Sequence, residues 1–141
     1  MILRTQVSFI ATGEHFTPSK VPASFSDSHD PGVIGKRGRY RGVPVPYGSA
    51  DIHAPEEEPE KIAYIHRLAL PFLRAMRDAG AEDFSLRITY QYDSQCALSF
   101  TREEQKMICE LDCDFCIDCW TDESPIQPPQ TTTGSSAPDR V

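Results

Sequence analysis

Along the first dozen residues, Leu3, Thr5, Val7, Phe9 and Ala11 occupy one phase and Arg4, Gln6, Ser8 and Ile10 the other. A period of two is that of a half-buried strand, which should end near Gly13. In FTPSKVPASF, Thr17 is placed to cap a helical turn with Pro18 at its first position, and Pro22 stops anything longer. The next stretch, SDSHDPGVIGKRGRYRGVPVPYGSADIHAP, is dense in Gly and Pro. It reads as loop or short edge strand, with Val43 and Val45 the expected strand residues.

From Glu57 to Ala79 the spacing changes to three and four: Ile62, Ile65, Ala69, Phe72 and Met76 recur on one side. Acids cluster at its start, arginines lie toward its end, and Gly80 supplies a C-terminal cap. Pro71 has no N–H for the carbonyl of Arg67, so a kink or a break is expected there. In DFSLRITYQY, Phe84, Leu86, Ile88 and Tyr90 alternate with Ser85, Arg87, Thr89 and Gln91, a second strand. A turn at DSQ and a partner strand in CALSF would close a hairpin. Thr101 and Glu104 have the spacing of a capping box, opening a helix with Met107, Ile108 and Leu111 on its apolar side. The segment DCDFCIDCW alternates again and reads as the last strand.

The elements add up to an α+β fold: a small, mainly antiparallel sheet packed against one long, proline-interrupted helix and one shorter helix. With 141 residues, 39% of them hydrophobic, the chain suits one domain over residues 1–120. The stretch 121–141, rich in Pro, Ser and Thr, is expected to be a disordered tail. No apolar run reaches the length of a membrane span, and the alternating N-terminus is unlike a signal peptide, so a cytoplasmic protein is expected. Five cysteines, an odd number with four bunched together, fit a reducing compartment better than a disulfide framework.

Charge sharpens the picture. The formal net charge is −7. Lys36, Arg37, Arg39 and Arg41 lie in a stretch without acids, whereas Asp51, Glu56, Glu57, Glu58 and Glu60 follow with no base among them. Between Glu103 and Glu123, acids face Lys106 alone. A nucleic-acid-binding domain would carry a basic excess, so a basic protein partner is the better fit.

Cys109, Cys113, Cys116 and Cys119 have a spacing that superficially suits a zinc or iron–sulfur site. Strand periodicity argues otherwise. Side chains three apart on a strand point to opposite faces, and Cys113 and Cys119, on one face, would lie roughly 20 Å apart at about 3.3 Å per residue. A single zinc ion holds each sulfur at about 2.3 Å. Cys113 and Cys119 are therefore expected as small buried hydrophobes and Cys116 as a half-exposed thiol, with no metal and no cofactor.

The histidines, His15, His29, His53 and His66, are scattered without metal-ligand spacing. Ser26, Asp27, Ser28, His29 and Asp30 lie adjacent, but catalytic triads assemble from distant parts of a chain, and a polar loop accounts for them. The motif GKRGRYRG combines glycines with Lys36, Arg37, Arg39 and Arg41 as anion-binding donors and Tyr40 as a stacking face. It lacks the form of a phosphate loop. A surface turn, solvated or paired with the following acids, stands beside the anion-binding reading.

The order of elements, together with VSFIATGEHFTPSKV, DPGVIGKRGRYRGVPVPYGSADI and CALSFTREEQKMICELDCDFCIDCW, resembles the bacterial family known as domain of unknown function 4279, over about residues 3 to 120. The resemblance implies a compact α+β domain of the size of immunity proteins in polymorphic toxin systems, and it brings no catalytic motif. The expected function is accordingly that of a non-enzymatic inhibitor of a basic toxin, acting through Asp112, Asp114, Asp118 and the adjacent Trp120. The alternative is a regulatory module that holds an anion in the basic loop 35–42.

Overall fold

The computed structural model describes residues 1–121. The expected tail, from residue 122 on, lies outside the described residues, while Thr121 belongs to the last strand. The chain forms β1 (Ile2–Gly13), β2 (Asp27–His29), β3 (Gly48–His53), α1 (Lys61–Ala69), α2 (Leu73–Asp78), β4 (Asp83–Tyr92), α3 (Arg102–Glu110) and β5 (Asp114–Thr121). The strands make one mixed sheet in the order β2-β3-β1-β4-β5, antiparallel except for the parallel pair β4–β5. The α+β expectation holds.

The alternation in β1 and β4 sets the core. Val7, Phe9 and Ala11 on β1 and Phe84, Leu86, Ile88 and Tyr90 on β4 are buried, and they meet Ile62, Ile65, Ala69, Leu73 and Met76 from the helices. Leu3 leaves this phase and is exposed, because the β1–β4 register shifts between Ile2 and Arg4. Pro71 breaks the long helix as expected, inserting a 3-10 turn over Leu70–Phe72 between α1 and α2. That break moves the buried position from Phe72 to Leu73. At the end of α2, Gly80 takes a φ of +109°; its N–H donates to the Arg77 carbonyl and the Ala81 N–H donates to the Met76 carbonyl. These two bonds form a Schellman cap, which favours glycine at this position.

Three expectations are corrected. Val43 and Val45 form no strand; Pro44 and Pro46 lack the N–H groups a ladder needs, and Val45 is instead buried within a closed loop where it exchanges bonds with Gly32 and Val33. The central strand of that half is β3, whose Gly, Ser and Asp residues are poor strand formers held in place by β1 and β2. CALSF is not a strand either. The place beside β4 is taken by β5, reached through α3 in a parallel crossover. The capping box does open α3: the Thr101 hydroxyl accepts from the Glu104 N–H, and the Glu104 carboxylate accepts from the Thr101 N–H. Among the described residues no helix is long and apolar enough to cross a membrane.

Candidate functional site

Both helical segments lie on one side of the sheet, and the polar phases of its strands line the other. Antiparallel and parallel registers together align these side chains in rows across the sheet. One row runs Asp27, Asp51, Ile10, Ser85, Asp114, drawing one residue from each strand. At about 4.8 Å between strands it spans about 19 Å. The row beside it is His29, Ser49, Thr12, Asp83, and on the other flank lies His53, Ser8, Arg87, Cys116. Ile10 is the only aliphatic side chain in these three rows.

Arg37, from the basic loop, and Tyr47 border a cleft of about 330 Å³ on this face. Its lining includes Asp27, Asp51, Asp83 and Asp114, the guanidinium-bearing Arg37 and Arg87, and the rings of His29 and Tyr47. The two rings meet edge to face at 5.6 Å, and Tyr40 meets Tyr47 edge to face at 6.1 Å. The Arg87 Nε lies 3.6 Å from Asp118 Oδ2, an ion-pair distance beyond hydrogen-bond length. His29 Nε2 and Arg87 Nε are buried atoms without a hydrogen-bond partner among the described residues.

Beside the cleft, the Ser8 hydroxyl is 2.8 Å from His53 Nδ1, and His53 Nε2 is 4.0 Å from Asp51. The residue types are those of a nucleophilic triad, but the arrangement is not. The carboxylate is too far to orient the ring, and Ser8 sits mid-strand between β3 and β4.

The site residues read from the sequence divide into two groups. Asp114, Asp118 and Trp120 share one face of β5, with Trp120 56% exposed. Asp112 does not join them. It precedes the strand, takes a φ of +51°, and pairs with Arg77 Nη2 at 2.9 Å. In the basic loop, Gly38–Tyr40 forms a 3-10 turn and Gly35 bridges Arg41, so the loop folds on itself. Arg37 reaches the cleft lining, whereas Lys36, Arg39 and Arg41 do not. Arg39 lies over the Tyr40 ring at 5.7 Å. The acid Glu56 pairs with Arg4 at 2.8 Å.

The cysteine-rich segment is a strand, as its alternation implies, and among the described residues no His, Cys, Asp or Glu set converges as metal ligands. Cys119, expected to be buried, is exposed on β5, an edge strand. Cys113, at its start, is half-buried, and desolvation raises its thiol to about 11. A backbone hydrogen bond at Leu86 offsets part of this, while Asp114 and Asp112 add to it.

The cleft was not legible as a unit. Thr12, Ser85 and Arg87 have the pattern of an ordinary solvent face, and Ser49 lies in the Gly- and Pro-rich stretch whose composition hides β3. The signal in the sequence is the second phase of β4, polar throughout, and that of β1, polar apart from Ile2 and Ile10. Compared with family models, with curated proteins and with solved structures, the chain matches none.

Proposed function

We propose that this chain is a non-enzymatic binding protein that docks a basic protein partner through β5, in the manner of an immunity-type inhibitor of a basic toxin domain. The observation that carries the reading is the character of β5. Among the described residues it pairs with β4 alone, and it exposes Asp114, Phe115, Ile117 and Trp120 along its length. Edge strands that present apolar side chains are templates for another chain, and proteins that do not use them blunt them. Aspartates on the same strand favour a basic partner and raise its association rate, and Trp120 is the type of residue that anchors an interface. The net charge of −7 acts in the same direction.

The test is co-expression with the product of the neighbouring gene, read as survival and as the dissociation constant of the purified pair. Asp114→Lys with Asp118→Lys should weaken binding at least tenfold and abolish rescue, and Trp120→Ala should do the same at any salt concentration. Unchanged binding by both variants, or a neighbouring product that is not toxic, would refute the reading.

A further inference from the structure

We infer that the cleft on the helix-free face of the sheet is a binding site for a small polyhydroxylated ligand, a sugar or polyol of about monosaccharide size. This site is separate from the β5 docking edge, with which it shares Asp114 alone. Its volume of about 330 Å³ lies at the small end of the range for ligand clefts.

The ligand class follows from what the walls offer. Carboxylates only accept hydrogen bonds, guanidiniums only donate them, and hydroxyls do both. The cleft has all three: Asp27, Asp51, Asp83 and Asp114 as acceptors, Arg37 and Arg87 as donors, and Thr12, Ser49 and Ser85 between them. A ligand whose every polar group both donates and accepts is the one that satisfies such a lining. A phosphate or carboxylate would meet four aspartates against two arginines, and an apolar ligand would strand most of the lining without partners. Ile10 on the floor and the His29–Tyr47 ring pair on the wall suit the C–H faces of a sugar ring.

One further feature supports a site over a solvated surface. The floor is held by β ladders on both sides of β3, β1 and β4, so the backbone that carries its donors and acceptors is fixed before any ligand arrives.

The proposal is tested by titrating the ¹⁵N-labelled chain with glucose, mannose, myo-inositol, glucosamine and glucuronate, following backbone amide resonances. At least one neutral or amino compound should shift the amides of Ile10, Ser49 and Ser85 saturably below about 50 mM, an affinity in the millimolar range. Glucuronate should bind at least tenfold more weakly. Arg37→Ala, on the loop, and Asp51→Asn, on the floor, should each reduce the affinity at least fivefold while the amide spectrum keeps the dispersion of the folded chain. The proposal fails if no compound moves the cleft amides, if the shifts centre on Trp120 instead, or if glucuronate binds best. Because the titration is made on the unaltered chain and without a protein partner, its failure leaves the β5 reading standing, and the reverse also holds.

Discussion

The guanidinium of Arg77 donates to Asp112 Oδ2 at 2.9 Å, tying the end of α2 to the turn between α3 and β5. Asp112 holds its left-handed φ of +51° in that turn, a conformation that aspartate tolerates and β-branched residues resist. The pair itself is exposed, with side-chain exposures of 45% and 82%, so the ion pair contributes at most about 1 kcal/mol. Asp112→Gly should therefore shift stability by no more than about 1 kcal/mol, because relief of the backbone offsets the lost pair. Asp112→Val should cost about 1–2 kcal/mol more than the glycine variant. Urea unfolding of the two variants checks the order. Neither should weaken partner binding, in contrast to changes at Asp114 and Asp118.

The same turn delivers Cys113 into half-burial. Its thiol titrates at about 11 against an ordinary 9.0, so at pH 8 its thiolate fraction is about 100-fold below that of an unperturbed thiol. Cys116 and Cys119, exposed on β5, should be alkylated by iodoacetamide first and Cys113 last, as peptide mass mapping over time will show. The pH linkage has a definite sign. A folded pKa raised above the unfolded one gives a contribution that is complete below pH 9 and lost as pH rises toward about 11. Cys113→Ala should flatten the decline of unfolding temperature across that window.

Placement of β5 depends in turn on α3. That helix has no fully buried residue between Arg102 and Glu110; Met107 and Ile108 are half-buried against the core, and the buried Leu111 follows the last turn. Its start is fixed by the reciprocal bonds of Thr101 and Glu104 at 3.0 and 2.9 Å. Thr101→Ala should cost about 1 kcal/mol, read by denaturant unfolding. Hydrogen exchange should quicken in α3 and β5 more than in β1 or β3, since the loss is local to the crossover.

What the residues announce in advance follows a physical divide. Elements whose burial is local and periodic are legible: the alternation of Val7, Phe9 and Ala11, the helical spacing of Ile62, Ile65 and Ala69, the break at Pro71 and the box at Thr101. Elements whose geometry is imposed by neighbours are not. Gly48, Ser49 and Asp51 have little strand preference and adopt it because β1 offers a ladder, while residues 96–100 have the composition of a strand and find β5 already beside β4. The cleft is further from the sequence still. It exists only because four register relationships bring Asp27, Asp51, Ser85 and Asp114 into one row, and periodicity within a strand says nothing of register between strands.

Gly48 shows how tightly that imposed geometry is held. A Cβ at this position would lie 1.7 Å from the carbonyl oxygen of Phe16 and 3.2 Å from the ring of Pro31. The first neighbour is backbone and cannot rotate away, so Gly48→Ala must displace either β3 or the turn that carries Phe16, itself fully buried. The expected cost is about 2–4 kcal/mol. Gly42 provides the control. Its φ is +79°, but nothing lies within 4 Å of the position a Cβ would take, so Gly42→Ala carries only conformational strain of about 1–2 kcal/mol. Chemical denaturation of both variants should place Gly48→Ala below Gly42→Ala. Gly48→Ala should also disturb the amides of Ser49 and Asp51 at the cleft floor, while Gly42→Ala leaves them in place; equal stabilities with no shift at Ser49 would show that β3 is not pinned against Phe16 as described.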